Sequence, residues 1–173
     1  SMPKDAVVKR ITQSLQKLDM EDYMADVKLV STQVESPLSD PVIADIRDEW
    51  DWIRLALLEL KAQIPSLTWR PEDVYAECLY GNALLHVSSE GFVITNVITD
   101  QYTKERTLHF WICWAKKLGS NNVINYLPFF ENVAKQLECN RLEVWTPVNA
   151  LEAYLRGSGW SLDTKVYTRQ VDE

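Results

Sequence analysis

The longest apolar run of the chain, Arg106-Thr-Leu-His-Phe-Trp-Ile-Cys-Trp114, shows an almost unbroken pattern, as expected of a strand buried on both faces. A helical segment over 123–138 follows it, with Leu127, Phe130, Ala134 and Leu137 facing one way. Pro128 is either a first-turn residue of that helix or a bend in it. A second short strand, Arg141-Leu-Glu-Val-Trp145, comes next, and the three segments read as a crossover between strands of one sheet. A short helix ending at Gly157-Ser-Gly-Trp160 and a last strand over 164–170 complete the C-terminal half. The pattern predicts a mixed sheet with 107–114 as its central strand.

Upstream, Val7, Val8, Ile11, Leu15 and Leu18 recur at helical spacing, which predicts an amphipathic helix over 4–18. Its apolar face must be covered by the domain or by another copy of the chain. Residues 26–34 are β-branched enough for a first strand. Asp40 then reads as an N-cap and Pro41 as the first residue of a helix running to Gln63. That helix places Ile46, Trp50, Ile53, Leu57 and Leu60 on one stripe, with Trp52 about 200° from Trp50 and expected toward solvent. Pro71 opens a second helix to about Leu79, stopped by Gly81. Ala83–Val87 and Phe92–Ile98 form a hairpin through Ser88-Ser-Glu-Gly91, and a polar loop, Asp100–Glu105, leads into the apolar run. Ser1-Met2 reads as a cloning scar. The organisation predicted is a helical extension at 3–25 and one domain at 26–173.

A length of 173 residues suits one domain with a sizeable core. No run reaches the ~18 apolar residues of a spanning helix, and the N-terminus lacks the apolar core of a signal peptide. The expectation is a soluble cytoplasmic protein without a membrane partner. Cys78, Cys113 and Cys139 lack CxxC spacing and sit in apolar patterns, so they read as buried free thiols. His86 and His109 both lie in strand-like runs, so no metal-ligand cluster is expected. A net charge of −7 disfavours nonspecific nucleic-acid binding, which draws its affinity from phosphate neutralisation. The acidity is local: residues 41–100 hold four basic and ten acidic side chains (4 − 10 = −6), whereas 101–173 hold nine and eight (9 − 8 = +1).

The order strand, helix, helix, three antiparallel strands, helix, strand, helix, strand resembles the GCN5-related N-acetyltransferase (GNAT) superfamily, and among its members small GNAT-like proteins encoded by bacteriophages. Two segments carry the likeness: Val133-Ala-Lys-Gln-Leu-Glu-Cys-Asn-Arg-Leu-Glu-Val-Trp145, and Asn149-Ala-Leu-Glu-Ala-Tyr-Leu-Arg-Gly-Ser-Gly-Trp160, where the family commonly ends a helix in Gly-Phe. The resemblance implies an α+β, mixed fold with a mostly antiparallel central sheet flanked by helices. It also implies acetyl-CoA or another acyl-CoA as cosubstrate, held between splayed fourth and fifth strands. Backbone N–H groups around Cys113, Trp114 and Ala115 would polarise the thioester carbonyl.

In the family, an Arg/Gln-x-x-Gly-x-Gly/Ala loop at a helix N-terminus cradles the pyrophosphate. The matching stretch, Lys116-Lys-Leu-Gly-Ser-Asn-Asn122, has the right length but other residues. Gly119, Ser120, Asn121 and Asn122 would present N–H groups there, and Lys116 and Lys117 would supply the charge of the missing Arg. Both lysines also suit a solvated strand end. The family's proton-donating Tyr falls at Leu155, one residue after Tyr154, so Tyr154 serves only if the helix register shifts. Asn149 reads as a helix cap, and by resemblance as a contact of the pantetheine arm. Asp100, Glu105 and Glu143 are candidate bases, and His109 reads as a hydrogen-bonded core residue. By resemblance the acidic first two helices, with Glu72, Asp73 and Glu77, border the acceptor site and suit a cationic amine or a basic protein segment; as residues alone they also read as an ordinary solvated acidic face. Two functions stay open at this point: an acyl-CoA-dependent N-acyltransferase, or a noncatalytic GNAT-like module such as a phage accessory or virion-associated protein. A homo-oligomer is compatible with either.

Overall fold

A computed structural model describes residues 39–117 and 125–172. Within them the chain runs β1 (Val42–Ala44), α1 (Ile46–Gln63), α2 (Pro71–Leu79), β2 (Ala83–Ser88), β3 (Gly91–Thr99), β4 (Arg106–Ala115), α3 (Leu127–Gln136), β5 (Arg141–Val144) and α4 (Leu151–Gly157). The strands form one sheet in that order. Neighbours are antiparallel except β5, which runs parallel to β4 after a crossover through α3. The helix expected over 4–18, the strand over 26–34 and the loop residues Gly119, Ser120, Asn121 and Asn122 lie outside the described residues.

Helix α1 starts later than its capping signals predict. Asp45, not Asp40, is the N-cap, with extended φ/ψ of −79° and 123° and a carboxylate that accepts from the Arg47 N–H at 2.9 Å. The Arg47 side chain beside Asp45 holds its carboxyl at about 2. Residues 42–44 pair instead with β2 as an edge strand, and Pro41 precedes that strand where its missing N–H costs no ladder bond. Trp52 also departs from expectation: its ring lies edge-on to Phe92 at 5.6 Å and tilted on Trp114 at 6.0 Å. Its indole N–H donates to the Glu49 carboxylate, one turn back on α1. Helix α2 begins at Pro71 as predicted, and Gly81 beyond its end adopts φ +78°. In α3, Pro128 occupies the first turn rather than a bend. The strand expected over 164–170 does not form, and that segment is exposed without regular structure. Nor is 107–114 the centre of the sheet, because β3 has two strands on either side and β4 only β5 beyond it.

The two sheet faces are covered differently. Phe92, Ile94, Ile112 and Trp114 pack with Ile53, Leu57 and Leu60 of α1 and Val74 of α2. On the other face Val93 and Phe110 meet Phe130 of α3, and Leu108 meets Val133 and Ala134. Regular alternation would put Leu108, Phe110, Ile112 and Trp114 on one face. They divide because β4 carries a bulge: Thr95 opposes Phe110 and Ile94 opposes Ile112, so Trp111 is an extra residue. One inserted residue therefore lets the continuous apolar run serve both cores.

Gly91 opens β3 at φ +149°, and a Cβ there would meet the Trp114 carbonyl oxygen at 2.1 Å. Gly91→Ala must both strain its backbone and push β4 away, and should cost about 2–4 kcal/mol in denaturant unfolding. Gly81→Ala, with open space around its Cβ, is the control that meets only the φ penalty.

His86, 1% exposed, bonds Thr95 Oγ1 through Nε2 at 2.9 Å and lies against the rings of Phe129 and Phe130. Its Nδ1 has no partner among the described residues, and burial pushes the imidazole down to about 4. The unfolded imidazole gains its proton near 6.5 and the folded one near 4, so acidification through that window favours unfolding. Stability should be full at neutral pH and fall by roughly 3 kcal/mol across the window. Urea melts at stepped pH check this, and His86→Gln should flatten most of the slope. Asp45 and Asp73, both held at about 2, act only at more acid pH.

Candidate active site

Strands β4 and β5 pair over four positions only, from Thr107↔Arg141 to Phe110↔Val144. Beyond them Ile112–Ala115 pairs, among the described residues, with β3 alone, while the chain after β5 leaves through Trp145-Thr-Pro147 without pairing to it. A strand exposes its N–H and C=O groups alternately to each side, so 111–115 presents a short row of them to the gap. The bulge at Trp111 falls where the strands part.

His109 and Glu143 form the third of the four pairs. They lie on the α1 and α2 side, since Leu108, Phe110, Leu142 and Val144 pack on the α3 side. His109 Nδ1 is 3.1 Å from Glu143 Oε1, with side-chain exposures of 8% and 21%. A carboxylate there accepts the Nδ1 proton, which fixes the neutral tautomer with a basic lone pair on Nε2. Arg141 Nη2 stands 3.7 Å from the other Glu143 oxygen. The exposed Trp145 ring meets the imidazole edge-on at 5.0 Å. Asn96, opposite His109 on β3, has a buried Oδ1 with no partner among the described residues. Burial pushes the His109 imidazole below its usual value, and the Glu143 carboxylate opposes that shift. The pair is thus a buried base oriented by an acid at the head of the gap. Sequence reasoning named both residues but gave His109 a core role and did not join them. The available signal was one polar residue inside each of two short apolar strands, Leu108-His-Phe110 and Leu142-Glu-Val144.

Of the residues expected to hold a cosubstrate, Cys113, Trp114 and Ala115 line the gap with their backbone. Burial pushes the half-buried Cys113 thiol up to about 12, so it is no nucleophile. Cys78 is also half-buried and only Cys139 is fully buried, so the expectation of three buried thiols holds for one. The Trp114 ring stacks on Phe92 at 5.7 Å. Lys116 is exposed, donates its backbone N–H to the Glu90 carbonyl at 2.7 Å and holds its ammonium 5.7 Å over Trp52, whose helix covers the face opposite α3. Lys117 is exposed beside it. Asn149 is exposed and is not a cap: Ala150 takes the N-cap place and α4 has no side-chain cap. Tyr154 is buried at 2% exposure on α4. Trp160, reached through Gly159 at φ +84°, packs against Phe110 at 5.9 Å.

The helices bordering the His109 side keep part of their acidity. Ion pairs engage Asp45 with Arg47, Glu72 with Arg54 and Asp73 with Arg70. Asp48, Asp51 and Glu77 are exposed and join no ion pair among the described residues.

No protein-family model matches the sequence, and no curated protein matches it either. Solved structures do. One described as a "probable acetyltransferase" superposes with TM-score 0.59 at 17% identity, covering 78% of this chain and 100% of its own. The ribosomal-protein-alanine N-acetyltransferase of Brucella melitensis biovar Abortus gives 0.54 at 16% identity, over 77% of this chain and 99% of its own. Glucosamine-6-phosphate N-acetyltransferase from Arabidopsis thaliana gives 0.53 at 11% identity, over 76% and 97%. At such identities the likeness establishes the fold alone. The chain has the GNAT fold.

The His109–Glu143 contact can be read without substrate. Glu143→Gln removes the charge that favours the imidazolium, so the His109 titration followed by NMR should move to lower pH. An unmoved midpoint would mean that the pair does not form in solution.

Proposed function

We propose that the protein is an acyl-CoA-dependent N-acyltransferase acting on an amine acceptor. The observation that carries this reading is the parting of β4 from β5 one residue pair beyond His109–Glu143. The gap suits the amide-bearing arm of an acyl-CoA, because 111–115 offers backbone groups with no described strand across from them. An acyl-CoA, when bound, supplies an activated thioester. The chain's own part is to align the arm along 111–115, to polarise the thioester carbonyl by an N–H in the Cys113–Ala115 stretch, and to take a proton from the acceptor ammonium at His109 Nε2. Glu143 holds the imidazole in the tautomer that can do so. Tyr154, within α4, is the candidate donor to the leaving thiolate, and Asn149 the candidate contact of the arm. With Lys116 drawn over Trp52, Lys117 is the better placed cation for the phosphates beside the Gly119–Asn122 loop. Asp48, Asp51 and Glu77 suit a cationic amine or a basic protein segment.

A second reading, a noncatalytic GNAT-like module such as a phage accessory protein, draws support from the burial of Tyr154 and from the glycine-poor loop. Titration with acetyl-CoA separates the two. A ligand present at 100 times its Kd stabilises by ~2.7 kcal/mol, which for a chain of this size should raise Tm by about 5–10 °C. His109→Ala should then keep that shift yet lose about 10²- to 10⁴-fold in kcat/KM toward an amine acceptor. No shift at millimolar acetyl-CoA would remove the enzyme reading. A shift with full activity in His109→Ala would remove only the assigned base.

A further inference from the structure

Of the seven tryptophans in the chain, six are buried or half-buried. Trp145 is the exception, at 74% exposure. The others pack on rings or lie under a lysine, as Trp114 does on Phe92 at 5.7 Å and Trp69 under the Lys61 ammonium at 5.8 Å. Trp145 has, among the described residues, one ring contact, the His109 imidazole met edge-on at 5.0 Å, and no cation over it. A single apolar side chain in water needs no explanation by itself. One that touches a buried base does.

Its place in the fold gives the exposure a use. Trp145 directly follows Val144, the last residue of β5 to pair with β4, so it stands where the two strands part, and its ring lies on the α1 and α2 side with His109. Next to it a row of polar side chains crosses three adjacent strands, Asn96, His109 and Glu143, each directly opposite the next. Within that row Asn96 Oδ1 is buried and has no partner among the described residues. A molecule that brings a nitrogen to His109 from this side meets a row rich in acceptors, which suits N–H donors, and beside it a flat apolar wall.

We propose that Trp145 determines which acceptor this chain takes: an amine joined by a short link to a flat apolar group, with the nitrogen at His109 and the flat group on the indole face. The proposal rests on the acyltransferase reading for what becomes of the amine, though not for its binding. Two properties of an indole face compete in setting what it holds. It attracts cations, but an ammonium over an exposed ring keeps most of its hydration and gains little. A flat apolar group takes area of both partners out of water and stacks as well, so it outweighs the cation. The Trp145 and His109 ring centroids are only 5.0 Å apart, so nitrogen and flat group must be close neighbours, about one or two carbons apart at ~1.5 Å per bond. In the transfer the ammonium gives one proton to His109, the C–N bond forms as the C–S bond breaks, and the second proton leaves with the thiolate; His109 then returns its proton to solvent. The flat group takes no part beyond holding the nitrogen in place.

NMR of the indole N–H groups in the whole chain, with and without CoA, tests this on 2-phenylethylamine, ethylamine and 1,4-diaminobutane. The Trp145 resonance, identified by its absence from Trp145→Leu, should shift with 2-phenylethylamine at a Kd about tenfold or more below that of either other amine. Trp145→Leu should weaken 2-phenylethylamine by about tenfold, and Trp145→Phe, which keeps a flat ring, should restore most of the loss. Because the side chain is exposed, circular dichroism of both variants should match the parent. With acetyl-CoA, the cost of Trp145→Leu toward 2-phenylethylamine should fall on KM rather than kcat. A diamine or ethylamine that binds as tightly as 2-phenylethylamine, or a Trp145 resonance that none of the three moves, overturns the proposal. Binding in the expected order without acetyl transfer upholds the Trp145 site and removes the enzyme reading. Transfer to all three at one KM, unmoved by Trp145→Leu, does the reverse.

Discussion

The bulge at Trp111 is the constraint on which the arrangement of this molecule rests. A strand that stayed regular from Arg106 to Ala115 would give all its even-numbered apolar residues to one face and leave the other only Thr107, His109, Trp111, Cys113 and Ala115. The extra residue hands Leu108 and Phe110 to α3, and Ile112 and Trp114 to α1 and α2. Both layers therefore pack on the same strand. The same residue stands where β4 and β5 separate, so the device that fills the two cores also ends the ladder and opens the gap.

Around that gap, structural and chemical roles are divided between the faces. On the α3 side the groups are mostly apolar, and His86 and Thr95, both buried, bond each other, with His86 kept neutral by desolvation. On the α1 and α2 side, His109 also loses charge to burial, but a carboxylate partner and an exposed ring border it. The two histidines of the chain occupy strands of similar composition. One has a hydroxyl for a partner and the other an acid at the mouth of an opening, and only the second arrangement holds a base ready for a proton.

The position of Lys116 shows how a strand end redistributes charge. An ammonium over an indole face is stabilised by the ring's quadrupole, and Trp52 offers that face because its N–H is engaged by Glu49. The pair of lysines read in the sequence as equivalent is therefore split. Trp52 itself, expected on the solvent side of α1, is drawn inward because Phe92 and Trp114 leave an aromatic surface that a helix residue at the margin of the stripe can reach.

The sequence by itself determined the elements whose signals are local. Apolar spacing identified α1, the β2–β3 hairpin and the β4–α3–β5 crossover, and Pro71 and Gly81 bounded α2, because periodicity and backbone restriction act within a few residues, whereas Pro128 suited a first turn or a bend equally. The fold class followed from element order. Choices between two adequate local signals were decided by tertiary structure: Asp40 and Asp45 can both cap a helix, and Asp45 prevails because Val42–Ala44 pairs with β2. Segment 164–170 carries strand composition yet has no strand beside it, since composition cannot supply a neighbour. The Trp111 bulge and the His109–Glu143 pair were illegible for the same reason. Each is a property of register between two strands, set by how their side chains fit the layers on either face, and no residue announces it alone.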